Sequence, residues 1–209
     1  MPQCDTHYIM TIFKNQLKTF GIYDIIPAMA ISADTILKFH HLRTSAHIQC
    51  LNYFAGLLGY HFPEHDNDKM SGPICMGYAY INYAKYHPDC KLTPPQLELY
   101  HDKHAEHHHT QPHHLEYYSD TTTIPDVILI EMVCDWHSAN FEQRFITHED
   151  PLDCTVSDFF EKHVLHNPRY KWLPSQVNLV YELIDFLNIY TDHTAIMSIW
   201  HPVLNDQLY

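Results

Sequence analysis

The sequence is poor in glycine, in cations and in long apolar runs, and each shortage excludes a class of protein. Five glycines in 209 residues leave no glycine-rich phosphate loop and no dinucleotide-binding fingerprint. Only 12 Lys and Arg residues face 25 Asp and Glu residues. The net charge of −13 argues against an electrostatic hold on duplex nucleic acid or an anionic membrane. The most apolar run, residues 127–134, is too short to span a bilayer and contains Glu131.

Cysteine pairs and a secretion signal are also missing. The six cysteines are scattered, and no two of them form a CxxC pair. This distribution suits reduced thiols in a cytosol better than a disulfide framework. The first ten residues, MPQCDTHYIM, have no basic segment followed by an apolar one. We therefore expect a cytoplasmic protein that does not enter a membrane.

Helix signals recur along the chain and predict an all-α fold. Apolar residues at three- and four-residue steps predict a helix that begins near Ser32 or Asp34, either of which suits an N-cap, and stops at Gly59. His47 lies on its inward face. The segment TPPQ, residues 93–96, combines an N-cap threonine, a proline at the first helical position and a capping-box glutamine. Pro125 opens a further helix, and no second strand-like run exists to pair with its apolar start.

The chain is long enough, and at 45% hydrophobic residues apolar enough, for one domain with a proper core. Two more amphipathic helices are predicted beyond residue 150, the second of them capped by Ser175. We divide the chain into an N-terminal extension over residues 1–31, a core over residues 32–150, and C-terminal helices over residues 151–209 that pack on the core.

The stretch HDKHAEHHHTQPHHLEYY, residues 101–118, is the one strongly biased segment. Compositional bias alone could produce it, but a purification tag would lie at a terminus and would lack the interleaved Leu, Glu and Tyr. Pro112 ends the helix that carries its first part. On that helix His101, His104 and His108 share the face of Leu97, and His107 lies on its flank.

Ligand-type side chains elsewhere give this tract partners. Inward-facing His47 precedes the pair His65-Asp66, and Asp135 follows the tract on a later helix. Imidazole nitrogens and carboxylate oxygens are ligands of borderline and hard divalent cations. One carboxylate flanked by imidazoles can bridge two ions, and two ions about 4 Å apart can clamp a phosphoryl group. The sequence therefore predicts a metal site.

This order of residues resembles the HD superfamily of metal-dependent phosphohydrolases. It is closer still to a poorly characterised HD-like family of bacteria, phages and large DNA viruses. That family has the motifs H-x-x-x-V, HD-x-S-K, HH-x4-N-x-HH-x-E-Y-W, M-P and E-M-x-x-D. The similarity covers roughly residues 40–145. The corresponding segments are HIQCL at His47, HDNDK at His65, HHHTQPHHLEYY at His107, IP at Ile124 and EMVCD at Glu131.

The chain departs from the family pattern at Asp68, Gln111 and Tyr118, which stand in place of Ser, Asn and Trp. The register of the first histidine pair stays open. Either Glu106 replaces its first imidazole and His107 matches the second, or His107 and His108 are the pair. The helical-face argument favours His104 and His108 instead. Whichever holds, we expect His101 and His109 to be exposed.

The resemblance implies a single HD-like helical domain that binds one or two divalent ions, with Mn, Fe, Zn, Mg, Ni and Co all compatible. The second ion would be held by His107 and by His113 or His114. Asp66 would bridge the two ions. The ligands implied for the first ion are His47, His65, Asp66 and Asp135.

Two further residues have a polar role in this interpretation. Lys69 could contact a phosphate or could be a solvated surface lysine. Glu131 could be a general base, but we favour a role in orienting a ligand histidine. The histidines without a partner pattern are expected at the surface: His137, His148, His163, His166, His193 and His201.

The leading functional hypothesis is a metal-dependent hydrolase that cleaves a phosphoester or phosphoanhydride of a small nucleotide-like substrate with a metal-activated water. The acidic surface favours a mononucleotide, a cyclic nucleotide or a short oligonucleotide over long nucleic acid. Two alternatives stay open at this point, an HD-fold di-iron oxygenase and a non-catalytic binding protein with a structural metal. The sequence also leaves the oligomeric state open.

Overall fold

A computed structural model describes residues 31–206 of the chain. The predicted extension over residues 1–31 therefore lies, except for Ile31, outside the described residues. Residues 32–206 belong to one compact unit.

The described residues form helices and contain no strand, which confirms the all-α prediction. None of these helices is long and apolar enough to cross a membrane. Short 3₁₀ and π turns connect or extend several of them. The α-helices are α1 (Ala33–Leu57), α2 (Gly72–Tyr86), α3 (Pro94–Thr110), α4 (Asp126–Phe141), α5 (Val156–Phe159), α6 (Pro174–Tyr190) and α7 (His193–Asp206).

Helices α1 and α3 begin at the residues that the sequence indicates. Ser32 is the N-cap of α1, and its hydroxyl accepts a hydrogen bond from the backbone N–H of Thr35 at 3.1 Å. Gly59 follows the end of this helix with a φ of +80°, a conformation that glycine adopts without strain. At α3 the backbone N–H of Thr93 donates to Gln96 Oε1 at 2.8 Å, which closes the predicted capping box.

The larger of two apolar clusters in the described part of the chain runs from Ile36 on α1 to Val203 on α7. Helices α1 and α4 pack against each other in it, and α7 packs on α1. This packing matters for function because α1 carries His47 and α4 carries Asp135. The largest fully buried side chains of this core are Trp200, Phe39, Phe54 and Phe160.

The C-terminal region differs from the prediction in two ways. Helix α6 begins at Pro174, with Leu173 rather than Ser175 at the N-cap. The proline occupies the first helical position, where it needs no N–H, and the Leu173 N–H donates to Gln176 Oε1 at 3.0 Å. Helix α7 was not predicted, since Pro202 lies within it and proline disfavours a helix interior.

His137 is buried, contrary to the prediction. It was expected at the surface, but its side chain is buried on α4, where it packs beside Phe54 with ring centroids 5.2 Å apart. Burial lowers the pKa of His137 to about 3, so the ring is neutral at physiological pH. The other histidines in that group are exposed, as expected: His148, His163, His166, His193 and His201.

Helix α2 approaches α3 closely at Gly77, and this contact gives a prediction about stability. A Cβ on Gly77 would lie 2.5 Å from Lys103 Cβ and 3.2 Å from the Leu99 carbonyl oxygen. Because Lys103 Cβ is attached directly to the backbone, α3 would have to move. We expect Gly77→Ala to lower the free energy of unfolding by about 1–3 kcal/mol in urea denaturation.

Gly56 provides the matched control, since it also lies within a helix but a Cβ added to it would meet no atom within 4 Å beyond its own helix backbone. Gly56→Ala should raise the free energy of unfolding by about 0.5–1 kcal/mol through helix propensity alone. Equal stability changes in the two variants would contradict the close approach of α2 and α3.

Candidate metal centre

Four parts of the fold bring ligand-type side chains to one place. Helix α1 supplies one histidine, the turn before α2 supplies an adjacent His–Asp pair, the end of α3 and the following turn supply three histidines, and α4 supplies an aspartate. We call this group the Asp66 cluster. Its members are His47, His65, Asp66, His107, His113, His114 and Asp135.

Asp66 lies at the middle of the cluster. Its side chain is 1% exposed, and its backbone has a φ of 58° and a ψ of 15°. This left-handed conformation is uncommon outside glycine, although Asp and Asn tolerate it better than most residues. Residues held in such conformations concentrate at functional sites. The backbone of Asp66 is therefore held in an unusual conformation at the point where the histidines meet.

The two carboxylate oxygens of Asp66 face different histidines. Oδ2 lies 3.8 Å from His47 Nε2 and 3.8 Å from His65 Nε2. Oδ1 lies 3.3 Å from His107 Nε2 and 3.5 Å from His113 Nε2. One buried carboxylate thus separates two pairs of imidazoles, and all four rings present the same nitrogen to it.

The pair on the Oδ2 side is completed by Asp135. Its Oδ1 atom is 2.9 Å from His47 Nε2 and 3.6 Å from His65 Nε2. The three side chains each have a ligand-type atom within 4.8 Å of the other two, so the group could hold a metal ion.

The pair on the Oδ1 side is completed by His114. Its Nε2 atom is 2.9 Å from His107 Nε2, and its ring centroid is 4.4 Å from that of His113. These three histidines form a second group that could hold a metal ion. The two nitrogens 2.9 Å apart need either a proton or a cation between them, because two lone pairs repel at this distance.

The Nδ1 atoms of the rings point away from Asp66 towards fixed acceptors. His65 Nδ1 is 2.9 Å from Glu131 Oε1, and His107 Nδ1 is 2.7 Å from Asp68 Oδ2. These carboxylates accept, so the partners assign the proton of each neutral ring to Nδ1. Such contacts are typical of carboxylates that orient metal-binding histidines.

Ser138 fixes the tautomer of His47 in the same way, with the proton on Nδ1. Its hydroxyl donates to the His47 carbonyl oxygen at 3.1 Å and lies 3.1 Å from His47 Nδ1. Since the hydroxyl has one proton, the serine oxygen accepts from Nδ1–H. The lone pair of His47 Nε2 is therefore directed at Asp66 and Asp135.

The charges inside the cluster strongly perturb the acids. Burial alone would raise the pKa of Asp66, but the charges of Lys69 and His65 outweigh it and hold that pKa well below its usual value. Burial also opposes ionisation of Asp135, yet the neighbouring imidazoles of His47 and His65 keep its pKa well below its usual value. Both carboxylates are therefore ionised, as metal ligands must be.

The histidines divide by the balance of burial and charge. Burial lowers the pKa of His65, but the negative charge of Asp66 outweighs it and raises the pKa to about 10, so the ring is protonated without a bound cation and a metal ion would displace that proton. Burial dominates at His113 and His114 and lowers both pKa values. His113 and His114 are thus neutral at physiological pH, the protonation state in which imidazole binds metal.

Several buried polar atoms of the cluster have no hydrogen-bond partner among the described residues. They include His65 Nε2 and His113 Nε2, which both face Asp66. Buried polar atoms without partners are rare in folded proteins and point to a bound ion or water. The residues therefore fit a metal centre by the position of their lone pairs as well as by their type.

Lys69 is buried rather than a solvated surface lysine, which removes one of its two interpretations. Its Nζ atom is 2.9 Å from Asp66 Oδ1, donates to Oδ2 at 2.9 Å, and lies 4.7 Å from the centre of the Tyr78 ring. The ammonium group neutralises part of the Asp66 charge from the side of α2.

The histidine tract places its members on opposite sides of α3. His107 is fully buried at Asp66, whereas His101 and His109 are exposed, as expected. His104 and His108 do not face Asp66, so the helical-face argument chose the wrong side of the helix. These two rings instead stack on each other with centroids 4.0 Å apart.

A cleft leads towards the cluster from the turn that precedes the His–Asp pair. It reaches His65, His113 and Glu131, the last of which lies 3.7 Å from His113 Nδ1. The remaining walls of the cleft are His61, Phe62, Pro63, Glu64, Gln111 and Pro112.

Three residues that support the cluster were not predicted. Ser138 lies three residues after Asp135 and seven after Glu131, so its shared helix face was a usable signal. His40 lies seven residues before His47, and its Nε2 atom is 2.8 Å from the Lys69 carbonyl oxygen. Asp68 was noted only as a departure from a motif, and nothing in the sequence assigns it to His107.

Comparison with known proteins identifies a family but not an activity. The model of a family of unknown function, DUF5662, matches residues 37–181. That range contains every member of the Asp66 cluster, and because it covers more than half of the chain, the chain belongs to this family. No curated protein and no solved structure matches the chain.

Proposed function

We propose that this member of the DUF5662 family is a metal-dependent hydrolase that cleaves phosphoester bonds in a small nucleotide-like substrate. The observation that carries the proposal is the buried carboxylate of Asp66 with four histidine Nε2 atoms around it, two on each oxygen. The order of these residues along the chain is similar to that of HD phosphohydrolases. We further propose a cytoplasmic location, in line with the free cysteines of the described residues.

Electrostatics supports two cation positions. Where Nδ1 carries the proton, the Nε2 lone pair is directed at a carboxylate, and this arrangement is repulsive unless a cation lies between the two. Asp66 can serve one position through each oxygen. When bound, two divalent ions would neutralise phosphoryl charge and lower the pKa of a coordinated water.

Different residues of the chain would bind the two ions and orient their ligands. His47, His65 and Asp135 would hold the first ion, and the histidines of the α3 end and the following turn would hold the second. Glu131 would keep His65 in the correct tautomer through its 2.9 Å contact with Nδ1, and we assign it this orienting role rather than that of a general base.

Lys69 would bind the phosphate of the substrate. Its ammonium group shares the carboxylate of Asp66, so it competes with any cation for the same oxygens. Once ions neutralise Asp66, the lysine is released to pair with another anion. A phosphoryl group next to Asp66 is within the reach of such a flexible side chain.

The cleft beside Glu131 would take the organic part of the substrate. The Phe62 ring and the Pro63 and Pro112 side chains offer apolar contacts, and the Gln111 amide offers one donor and one acceptor group. An aromatic base suits this combination of a ring and an amide. A nucleoside monophosphate or a cyclic nucleotide would place its one base in this cleft.

A hydrolysis screen of the metal-loaded protein tests the proposal. Nucleoside monophosphates, cyclic nucleotides, cyclic dinucleotides and short oligonucleotides would be incubated with Mn²⁺, Fe²⁺, Zn²⁺, Mg²⁺, Ni²⁺ or Co²⁺. We expect a phosphate or nucleotide product to form, and we expect Lys69→Ala to lower the rate of its formation. If the metal-bound protein cleaves none of these substrates, the proposal that it is a hydrolase is contradicted. Oxygen consumption by its iron form would favour a di-iron oxygenase.

The position of the tract histidines gives a separate prediction. His113→Ala removes a buried imidazole 3.5 Å from Asp66, and we expect it to lower the affinity for one ion by more than about 10-fold. His109→Ala is the matched control, since its ring is exposed and its Nδ1 atom lies 2.7 Å from the Ala105 carbonyl oxygen, away from Asp66. Equal loss of metal from the two variants, measured by equilibrium dialysis, would show that the assignment of ligands is wrong.

A further inference from the structure

A second set of metal-binding side chains lies next to the Asp66 cluster, on the outer side of His114. It consists of His108, His114 and Glu116, each with a ligand-type atom within 4.8 Å of the other two. His108 Nδ1 lies 3.3 Å from Glu116 Oε2. Two ligands of one tetrahedral zinc ion are about 3.4 Å apart, because each lies about 2.1 Å from the metal.

The neighbours hold these side chains in place. The His108 ring stacks on the His114 ring with centroids 3.8 Å apart and an interplanar angle of 13°. On its other face it stacks on His104 at 4.0 Å. Tyr170 donates to the second oxygen of Glu116 at 3.2 Å, which leaves Oε2 directed at His108. Because the lone pair of an imidazole nitrogen lies in the plane of its ring, the two rings must turn towards a shared ion, while the Glu116 carboxylate already faces His108.

This outer set is also within reach of solvent. The side chains of His108 and Glu116 are 17% and 19% exposed, whereas those of Asp66 and His107 are at most 1% exposed. Two imidazoles and one carboxylate are a donor set typical of zinc with an open coordination position. Such a set prefers Zn²⁺ to Mg²⁺, since imidazole is a poor ligand for the harder ion.

We propose that His108, His114 and Glu116 form an outer zinc site that regulates the second position of the Asp66 cluster. His114 belongs to both sites, and a neutral imidazole has a single lone pair. An ion in the outer site therefore takes a ligand from the second position, so that excess zinc lowers its occupancy. The competition for His114 rests on the proposed two-ion centre. The assignment of the outer zinc ligands does not depend on that centre.

Crystals of the full chain equilibrated at low and at high zinc concentration would test this proposal by anomalous scattering at the zinc edge. At low zinc we expect peaks beside Asp66 only. At high zinc we expect a new peak between His108 and Glu116, together with a loss of the peak between His107 and His113. No peak at His108 and Glu116 at high zinc would overturn the outer site, and an undiminished inner peak would overturn the competition.

Two variants keep the test specific. His108→Ala should abolish the outer peak and preserve both inner peaks at high zinc, whereas His109→Ala should behave like the wild type. An outer peak that persists in His108→Ala would overturn the ligand assignment. If the outer peak appears as expected but no peak appears beside Asp66, the proposed two-ion centre fails while the outer ligands stand.

Discussion

Asp66→Asn should sharply lower the occupancy of both metal positions while the fold is preserved. Asparagine is nearly isosteric with aspartate and tolerates the left-handed backbone of this residue, with its φ of 58°. It lacks the negative charge that offsets the repulsion between two cations, and its amide offers one oxygen instead of two. Removal of a residue that orients a metal ligand lowers metal affinity by about 10- to 100-fold, and the loss in Asp66→Asn should be larger. Hydrolysis should fall with it.

Asp68→Asn is the graded control for this experiment. Asp68 contacts His107 Nδ1 at 2.7 Å, on the side of the second position, so its loss should weaken that position and spare the first. Far-UV circular dichroism and the elution volume should be unchanged in both variants. Asp66→Asn with near-normal metal content and activity would contradict the bridging role of Asp66.

Arg43→Ala should cause the largest loss of stability, about 3–5 kcal/mol in the free energy of unfolding. The Arg43 guanidinium forms a two-pronged ion pair with Glu142, and the side chains are only 11% and 4% exposed. Tyr86 donates to the same carboxylate at 2.7 Å. Removal of the arginine leaves a buried carboxylate without its counter-charge, which costs more than the pair itself contributes.

The pH dependence of this effect follows from Glu142. Burial alone would raise its pKa, but Arg43 outweighs it and lowers the pKa from 4.5 to about 2. A depressed carboxyl pKa stabilises the fold above pH 4.5, and this stabilisation is lost as the pH falls towards about 2. The difference between wild type and Arg43→Ala in urea denaturation should therefore narrow over that range.

A double variant provides the control for the ion pair. Arg43→Met combined with Glu142→Gln removes both charges and keeps an acceptor for the Tyr86 hydroxyl. It should be more stable than Arg43→Ala, because no charge is left buried without a partner. A double variant that is as unstable as Arg43→Ala would point to lost packing instead.

Two helix starts were predictable because local chemistry decides them. The Ser32 cap and the capping box at Thr93 specify helix starts through hydrogen bonds within one turn. Helix α7 escaped prediction because Pro202 argues against a helix, while burial of Ile196, Trp200 and Val203 in the core favours one. Tertiary packing outweighed the local preference there.

The site was predictable in its residue types but not in its geometry. His47 and Asp135 are 88 residues apart in sequence, and no periodicity indicates that their side chains meet at 2.9 Å. On α3 the stripe of Leu97 suggested His104 and His108 as the inward pair. The helix instead buries Tyr100 and His107, since Tyr100 packs edge-on against Tyr78 of α2 at 5.5 Å.

The metal content of the purified protein is the most direct test of the Asp66 cluster. Wild type and Asp66→Asn would be dialysed extensively and measured by elemental analysis alongside circular dichroism. We predict about two transition-metal ions per wild-type chain and less than about one per chain of the variant. A folded wild-type protein that retains no metal, or an Asp66→Asn variant that retains as much as wild type, would contradict a metal centre built on Asp66.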